Sequence, residues 1–408
     1  MRPVDELRRV ERATVLKNGV PAASLERRRD AVVFAYDDSY RASGGPPVAT
    51  TLPLGDPVVT HAPGALPPFF SGLLPEGRRL TALRAAAKTS ADDELTLLLA
   101  VGADTVGDVQ VLPEGEDPDD VQPLVTVSEW SEVRFSELLA ASVGGPGQID
   151  RVGMPGVQDK VSARMINVPV SRAGDRFMLK LDPPEFPWLV TNEAFFLAAA
   201  RRSGLDAAEA DVVHDADGAA GLLVRRFDRV QNTDGAVAML AQEDACQVLG
   251  RYPADKYRVT TEDVIDALAS VCRARPVAAL TLLRQFAFAY LSCNGDAHAK
   301  NFSVLRRNDE WWVTPAYDVP TSYVYDDHTL ALTLNGRQRE DVGRTDFVAL
   351  GAAVGVRAPA VERTLDELCE RSYAWIDELD GLPFDRGVLV KLRRAIEYRR
   401  DRLSRPDP

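Results

Sequence analysis

Apolar positions along the chain change period several times, and each change marks a different kind of element. Up to about residue 60 they form short runs punctuated by turn residues. Val15-Leu16-Lys17-Asn18-Gly19-Val20 predicts two short strands around an Asn-Gly turn. Ala31-Val32-Val33-Phe34-Ala35-Tyr36 predicts another strand, closed by Asp37-Asp38, and Gly44-Gly45-Pro46-Pro47 breaks the chain. Residues 67–77 form a Pro/Gly-punctuated connector with Phe69-Phe70 and Leu73-Leu74-Pro75. Residues 78–101 then take helical spacing, with Leu80, Leu83, Leu95, Leu98 and Leu99 as core candidates. Gly107-Asp108-Val109-Gln110-Val111-Leu112-Pro113 returns to strand.

An acidic, proline-containing run over residues 113–124 is taken as a domain boundary. Glycines then cluster at Gly144, Gly145, Gly147, Gly153 and Gly156. The loop ending in Gly156-Val157-Gln158-Asp159-Lys160 runs into a strand. It is therefore no Walker loop, which needs Gly-Lys-Ser/Thr at a helix start, although backbone N–H groups and Lys160 are of a kind that meets phosphates. Phe177-Met178-Leu179-Lys180-Leu181-Asp182 sets a lysine inside an apolar strand. Such an ammonium either finds an anion or sits on an edge strand facing water. Thr191-Asn192-Glu193 is read as capping a helix that runs to about Arg201. Two roles are open for Glu193: a first-turn carboxylate, or the partner that orients Lys180. Leu222 to Arg229 predicts a strand turned by Asn232-Thr233-Asp234-Gly235. From Glu243 the pattern is helical. Residues 261–272 carry Val264, Ile265, Leu268 and Val271 on one face, and Pro276 opens a helix that is apolar almost all round to Leu291, the buried spine of its lobe.

Bulk properties narrow the class. With 408 residues, 45% of them hydrophobic, the chain has room for two or three domains and a sizeable core. Its net charge of −13 argues against strong unaided nucleic-acid binding. Cys246, Cys272, Cys293 and Cys369 show no CxxC pair, which predicts buried free thiols in a reducing cytoplasm. No signal peptide and no membrane span are expected.

The spine helix delivers the chain into Asn294-Gly295-Asp296-Ala297-His298-Ala299-Lys300-Asn301-Phe302-Ser303. Asp296 and Asn301 stand at the Asp-x-x-x-x-Asn spacing at which protein kinases carry a catalytic carboxylate and a magnesium-holding amide. Phe302-Ser303-Val304-Leu305 and Trp311 to Asp318 predict a hairpin. Residues 306–310 are polar, with Asn308-Asp309 as a turn, and taking paired residue numbers to sum to about 619, centred near Asp309-Glu310, sets Asn301 beside Asp318. An amide oxygen and a carboxylate there suit Mg²⁺ bridging phosphates, with Asp296 as base or as the group that positions a hydroxyl. Glycine-rich loop, strand lysine, helix glutamate, hinge, helical lobe, Asp-x-x-x-x-Asn and a final Asp follow the order of parts in a two-lobed phosphotransferase.

Gly156-Val157-Gln158-Asp159-Lys160, Arg226-Phe227-Asp228-Arg229, Gln242-Glu243-Asp244, Gly295 to Ser303 and Tyr317-Asp318-Val319 together resemble the HipA-family serine/threonine kinases, the toxins of bacterial toxin–antitoxin pairs. Phe69-Phe70-Ser71-Gly72-Leu73-Leu74-Pro75 and Val106-Gly107-Asp108-Val109-Gln110 are similar to that family's amino-terminal subdomain. The resemblance implies an α+β, two-lobed, protein-kinase-like (phosphoinositide-kinase-like) fold with an added β-rich amino-terminal subdomain. The divisions expected are 1–120 for that subdomain, 121–240 for the small lobe and 241–408 for the helical large lobe. The resemblance makes Asp296 the catalytic aspartate, and Pro155, Gly156, Val157, Gln158, Asp159 and Lys160 the phosphate loop. It makes Lys180 the ATP lysine and Arg225, Arg226 and Phe227 the adenine hinge. His298, Ala299, Lys300, Asn301, Tyr317 and Asp318 complete the nucleotide site, with Asn301 and Asp318 on Mg²⁺.

The family phosphorylates a protein, in some members an aminoacyl-tRNA synthetase, which stalls translation and induces dormancy and persistence. A small helix-turn-helix, HipB-like antitoxin holds the kinase in a repressor complex, so DNA is met only through that partner. Two departures stand out. Gly153 occupies the position of the family's autophosphorylated serine, with Ser142 and Ser162 nearby, and Arg225 occupies a hinge position often held by glutamate. The rival readings are a nucleotide-binding pseudokinase acting only as corepressor, and a small-molecule kinase of aminoglycoside-phosphotransferase type. The basic stretch 391–405 is read as a solvated helix face with Leu392, Ile396, Tyr398 and Leu403 partly packed, with DNA contact as the alternative.

Overall fold

A computed structural model describes residues 3–62, 64–117, 125–127, 129–138, 152–153, 166–172, 175–183, 185–232, 236–337 and 342–405. Two compact units emerge. The first takes the described parts of Met1–Asp159, Ala163–Leu181 and Val213–Pro253, and the second takes Asp182–Val212 and Ala254–Pro408.

In the first unit the opening strands are Arg12–Lys17 and Val20–Arg28, joined through Asn18 and Gly19 at φ 50° and 75°. That is the doubly left-handed turn an Asn-Gly pair favours. Ala31–Tyr36, Val58–Thr60 and Val109–Pro113 complete a five-stranded antiparallel sheet. The run predicted helical over 78–101 forms two helices, Gly77–Ala87 and Glu94–Val101. Leu83, Leu95, Leu98 and Leu99 are buried in the core and Leu80 packs at its margin.

A second sheet orders Ala210–His214, Ala220–Arg225, Asp175–Leu181, Ile166–Arg172 and Val125–Thr126. Leu179 and Leu181 pack on one of its faces against Trp130, Phe135 and Leu223. Period two then sets Lys180 on the opposite face. Its strand is central, flanked by Asn167 and Leu222 in register, and the side chain is 9% exposed, so the edge-strand alternative is excluded.

Motifs distant in sequence converge inside this unit. Arg226 donates to both Asp104 oxygens at 3.0 Å, to Asp228 at 2.8 and 3.0 Å and to the Thr105 carbonyl at 2.8 Å. Arg229 adds bonds to Asp228 at 2.8 Å and to the Gly107 carbonyl at 2.7 Å. Gly107 has φ 89°, and a Cβ there would meet the Gln242 backbone at 3.2 Å, so the contact needs glycine. Glu243 accepts from the Thr50 N–H and hydroxyl at 2.8 and 2.6 Å, and Gln247 donates to the Phe69 carbonyl at 3.0 Å. Lys17 closes the seam on Asp108 at 2.8 Å. Residues 104–108, just before strand Val109–Pro113, and residues 226–229, just after strand Ala220–Arg225, thus meet in a buried ionic seam.

The second unit is mostly helical. Thr260 caps Thr261–Val271 in a reciprocal capping box with Asp263. Arg275–Leu291, with Pro276 in its first turn, is the expected spine: it packs against Thr261–Val271, Arg344–Ala353, Ala358–Ile376 and Arg386–Ser404. Trp375 is fully buried, edge-on to Phe196 and Phe288, and donates to Ser203 at 2.8 Å.

Two expectations are corrected here. The helix read as capped by Thr191-Asn192-Glu193 runs Leu189–Arg202, and those three residues lie inside it. Asp182 caps it instead, accepting the Trp188 and Val190 N–H groups at 3.0 and 2.6 Å, which removes the first-turn role from Glu193. The last helix, Arg386–Ser404, is less solvated than its charges suggest. Arg399 is buried, donates to the Tyr290 carbonyl at 2.8 Å and lies 5.1 Å from that ring, while Tyr398 faces outward. All four cysteines are buried and free, and burial pushes the Cys272 and Cys369 thiols up to about 11. Among the described residues no helix is long and apolar enough to cross a membrane.

The seam makes two predictions. Arg226→Met leaves Asp104 and Asp228 buried with one cation fewer and costs about 3–5 kcal/mol, read as a lower urea midpoint. Burial pushes the Asp228 carboxyl up from its ordinary 3.8, but Arg226 and Arg229 outweigh it and bring it down to about 2. A depressed carboxylate stabilises the fold above its ordinary value and loses that contribution as pH falls through the folded one. Stability is therefore lost between about pH 4 and about pH 2, by on the order of 2 kcal/mol, and Asp228→Asn flattens that limb of the pH–stability curve.

Candidate active site

The spine helix ends at Leu291, and Cys293 at φ 58° turns the chain sharply into the loop. Asn294 is the first tie. Its Oδ1 accepts the Asp296 N–H at 3.0 Å, and its Nδ2 donates to the Asp318 carbonyl at 3.4 Å. Gly295 follows, where a Cβ would lie 2.7 Å from the Ser322 hydroxyl and 2.8 Å from the Thr329 carbonyl, so only glycine lets that segment close over the loop. Its N–H donates to the Ser322 hydroxyl at 2.8 Å.

Asp296 is 2% exposed. Its Oδ1 accepts the Tyr257 hydroxyl at 2.6 Å, and its carbonyl accepts the His298 N–H at 2.8 Å. His298 is fully buried and meets the Tyr257 ring edge-on at 5.1 Å. It precedes a single 3₁₀ turn, Ala299–Asn301, whose Ala299 N–H donates to the Lys256 carbonyl at 3.2 Å. Lys300 is buried, and its carbonyl accepts the Tyr317 hydroxyl at 2.7 Å. The turn brings Asn301 round so that its Oδ1 accepts the His298 N–H at 3.0 Å and its Nδ2 donates to Asp318 Oδ2 at 2.7 Å.

The pairing of Asn301 with Asp318 is as expected, but the route differs. The hairpin Ser303–Arg307 with Glu310–Val313 pairs Val304 with Val313 and Arg307 with Glu310. Its turn is Asn308-Asp309, as the residue types there predict, both left-handed at φ 50° and 63°, while the register sum is 617, two short of the expected 619. Asn301 and Asp318 lie beyond the ladder. The 3₁₀ turn on one side and Asp318 at φ 56° on the other bring them together.

Asp296, His298, Ala299, Lys300, Asn301, Tyr317 and Asp318 thus share one hydrogen-bonded cluster in the second unit, joined by Asn294 and Tyr257, which sequence reasoning did not single out. Their contacts cross 24 and 39 residues. Lys180 lies in the first unit, mid-sheet. The Arg226 guanidinium is committed to the seam, the Arg226 main-chain N–H donates to the Arg176 carbonyl at 3.0 Å, and the exposed Arg225 side chain pairs with Asp175 at 3.0 Å. Pro155, Gly156, Val157, Gln158, Asp159 and Lys160 lie outside the described residues, as do Ser142 and Ser162.

The donor set fits a hard cation. Asp318 offers a carboxylate, and the Asn301 amide oxygen keeps a second lone pair beside its bond to His298. Among the described residues no group of three or more His, Cys, Asp or Glu side chains could hold a metal. A cation here would take few protein ligands and fill its shell from phosphate and water, as Mg²⁺ does.

Comparison with known proteins assigns the family. A model described as the HipA N-terminal domain matches residues 13–112, and one described as the HipA-like C-terminal domain matches residues 152–376. Two Sinorhizobium fredii proteins named as kinases, Y4mE and Y4dM, are 32% and 30% identical over 321 and 402 residues, covering 74% and 90% of this chain and 76% and 91% of theirs. The serine/threonine-protein kinase toxin HipA of Shewanella oneidensis is 28% identical over 339 residues, 76% of this chain and 75% of that one. The fold superposes with TM-score 0.76 on a chain from the Shewanella oneidensis complex of HipA, HipB and operator DNA, at 22% identity, covering 96% of this chain and 97% of that one. That likeness supports the two-lobed, kinase-like α+β class read from the sequence. With both family domains matched in order and relatives aligned along most of its length, the chain belongs to the HipA family.

Proposed function

We propose that the chain is an ATP- and Mg²⁺-dependent serine/threonine-protein kinase acting as a toxin in the cytoplasm. Its target is a translation-related protein, of which an aminoacyl-tRNA synthetase is one type, and its action arrests growth. A small helix-turn-helix, HipB-like antitoxin neutralises it in a repressor complex. The observation that carries the reading is the Asn301–Asp318 bond at 2.7 Å on the loop whose Asp296 is held by Tyr257. Carboxylate, amide and second carboxylate are the parts that phosphoryl transfer needs for orienting a hydroxyl and holding a metal.

In this reading Asp296 orients the substrate hydroxyl and accepts its proton. Asn301 and Asp318 hold Mg²⁺, which when bound offsets the charge on the transferring phosphoryl group. Lys180 and Lys160 add positive charge toward the phosphates, the main electrostatic work in such transfers. His298, Lys300 and Tyr317 keep the 3₁₀ turn in the shape that presents Asn301. A net charge of −13 fits a kinase that meets DNA only through a partner. Four free, buried cysteines fit a reducing compartment.

Asp296→Ala removes label transfer from γ-labelled ATP to protein by about 10²–10⁴-fold while nucleotide binding survives. Near wild-type transfer in that variant would refute the assignment of the base. Lys180→Met, which keeps an apolar stem in the sheet, lowers transfer by about 10²-fold while the variant stays folded by circular dichroism. In cells, controlled expression of the chain slows growth and Asp296→Ala does not. Equal arrest by both forms would contradict a kinase toxin.

A further inference from the structure

The Tyr257 hydroxyl donates to Asp296 Oδ1 at 2.6 Å, a short bond of the charge-assisted kind. The segment that carries it is pinned on both sides. Before Tyr257, the carbonyl of the fully buried Lys256 accepts the Ala299 N–H at 3.2 Å, inside the loop that Asp296 opens. After it, Thr260 caps the helix Thr261–Val271, and the Thr261 N–H donates to the Thr333 carbonyl at 2.9 Å. The ring itself meets His298 edge-on at 5.1 Å and has the Lys256 ammonium 5.4 Å from its centroid.

From this geometry we infer that Tyr257 is the positioning residue of Asp296, an inference that rests on the kinase reading above. The terminal torsion of an aspartate is broad and roughly two-fold, so the side chain alone does not fix where its oxygens point. A hydroxyl on a segment anchored at both ends does. It holds Oδ1 and so sets the plane of the carboxylate that must meet a substrate hydroxyl. Tyr257 touches no reacting atom in this account and acts through Asp296 alone.

Removal of the hydroxyl with the ring kept separates positioning from packing. Tyr257→Phe and Tyr257→Ala are compared with wild type for ADP release from MgATP, using myelin basic protein as a generic acceptor, and for thermal midpoint. Tyr257→Phe is expected to lower kcat by about 10–10²-fold, the scale of a misplaced catalytic group, with the KM for MgATP and the thermal midpoint unchanged. Tyr257→Ala is expected to lose kcat by a similar factor. Wild-type kcat in Tyr257→Phe overturns the inference, and if Tyr257→Ala alone is impaired the residue serves only as ring packing. A joint fall of kcat, nucleotide affinity and thermal midpoint in Tyr257→Phe also overturns it, as a structural role would. A wild-type chain that releases no ADP overturns the kinase reading first and the inference with it.

Discussion

Asp296, His298, Lys300 and Asn301 are all 7% exposed or less, just past a helix whose own buried residues are almost entirely apolar. A polar group in that position costs about 1–3 kcal/mol if left unsatisfied, and a charge costs more. The loop therefore takes a shape in which side chains and main chain answer one another. Asn294 holds the Asp296 N–H and reaches the Asp318 carbonyl, Asn301 holds the His298 N–H and the Asp318 carboxylate, and Tyr317 holds the Lys300 carbonyl. The same bonds that make burial tolerable fix the relative positions of an acid, an amide and a second acid. Stability of the loop and geometry of the site are one property of this network, which is why glycine at position 295 and a left-handed Asp318 are built into it.

The first unit solves a related problem with charge. Arg226, Arg229, Asp104 and Asp228 bury two cations against two anions, and each guanidinium also meets main-chain carbonyls. Such a cluster adds little net stability over an apolar one, but a wrong register leaves a charge unpaired, so it defines how residues 104–108 and 226–229 join. Arg226, which the resemblance sets at a kinase hinge, thus has a structural task in this chain.

Much of this was legible in the sequence, and the failures have physical reasons. The Asn18-Gly19 turn, the two-period strands and the all-apolar spine are local features, set by residues a few positions apart. The meeting of Asn301 and Asp318 was read from hairpin pairing and holds, as does the Asn308-Asp309 turn, but the register is two short of the expected sum because both turn residues accept left-handed backbone and close the hairpin in two residues. The cap of Leu189–Arg202 was misread because Asp182 reaches the helix start from across Pro183 and Pro187, a choice that spacing rules do not reveal. Tyr257 and Asp104 were invisible for a simpler reason. Their partners lie 39 and 122 residues away, and neither has a periodic signature.

If the Asn301–Asp318 pair holds a metal together with a nucleotide, Mn²⁺ titrated into the purified chain with a non-hydrolysable ATP analogue and followed by electron paramagnetic resonance binds only when the analogue is present. That binding is then lost in Asp318→Asn with the fold intact. Nucleotide-dependent Mn²⁺ binding that persists unchanged in Asp318→Asn rules the pair out as the metal site.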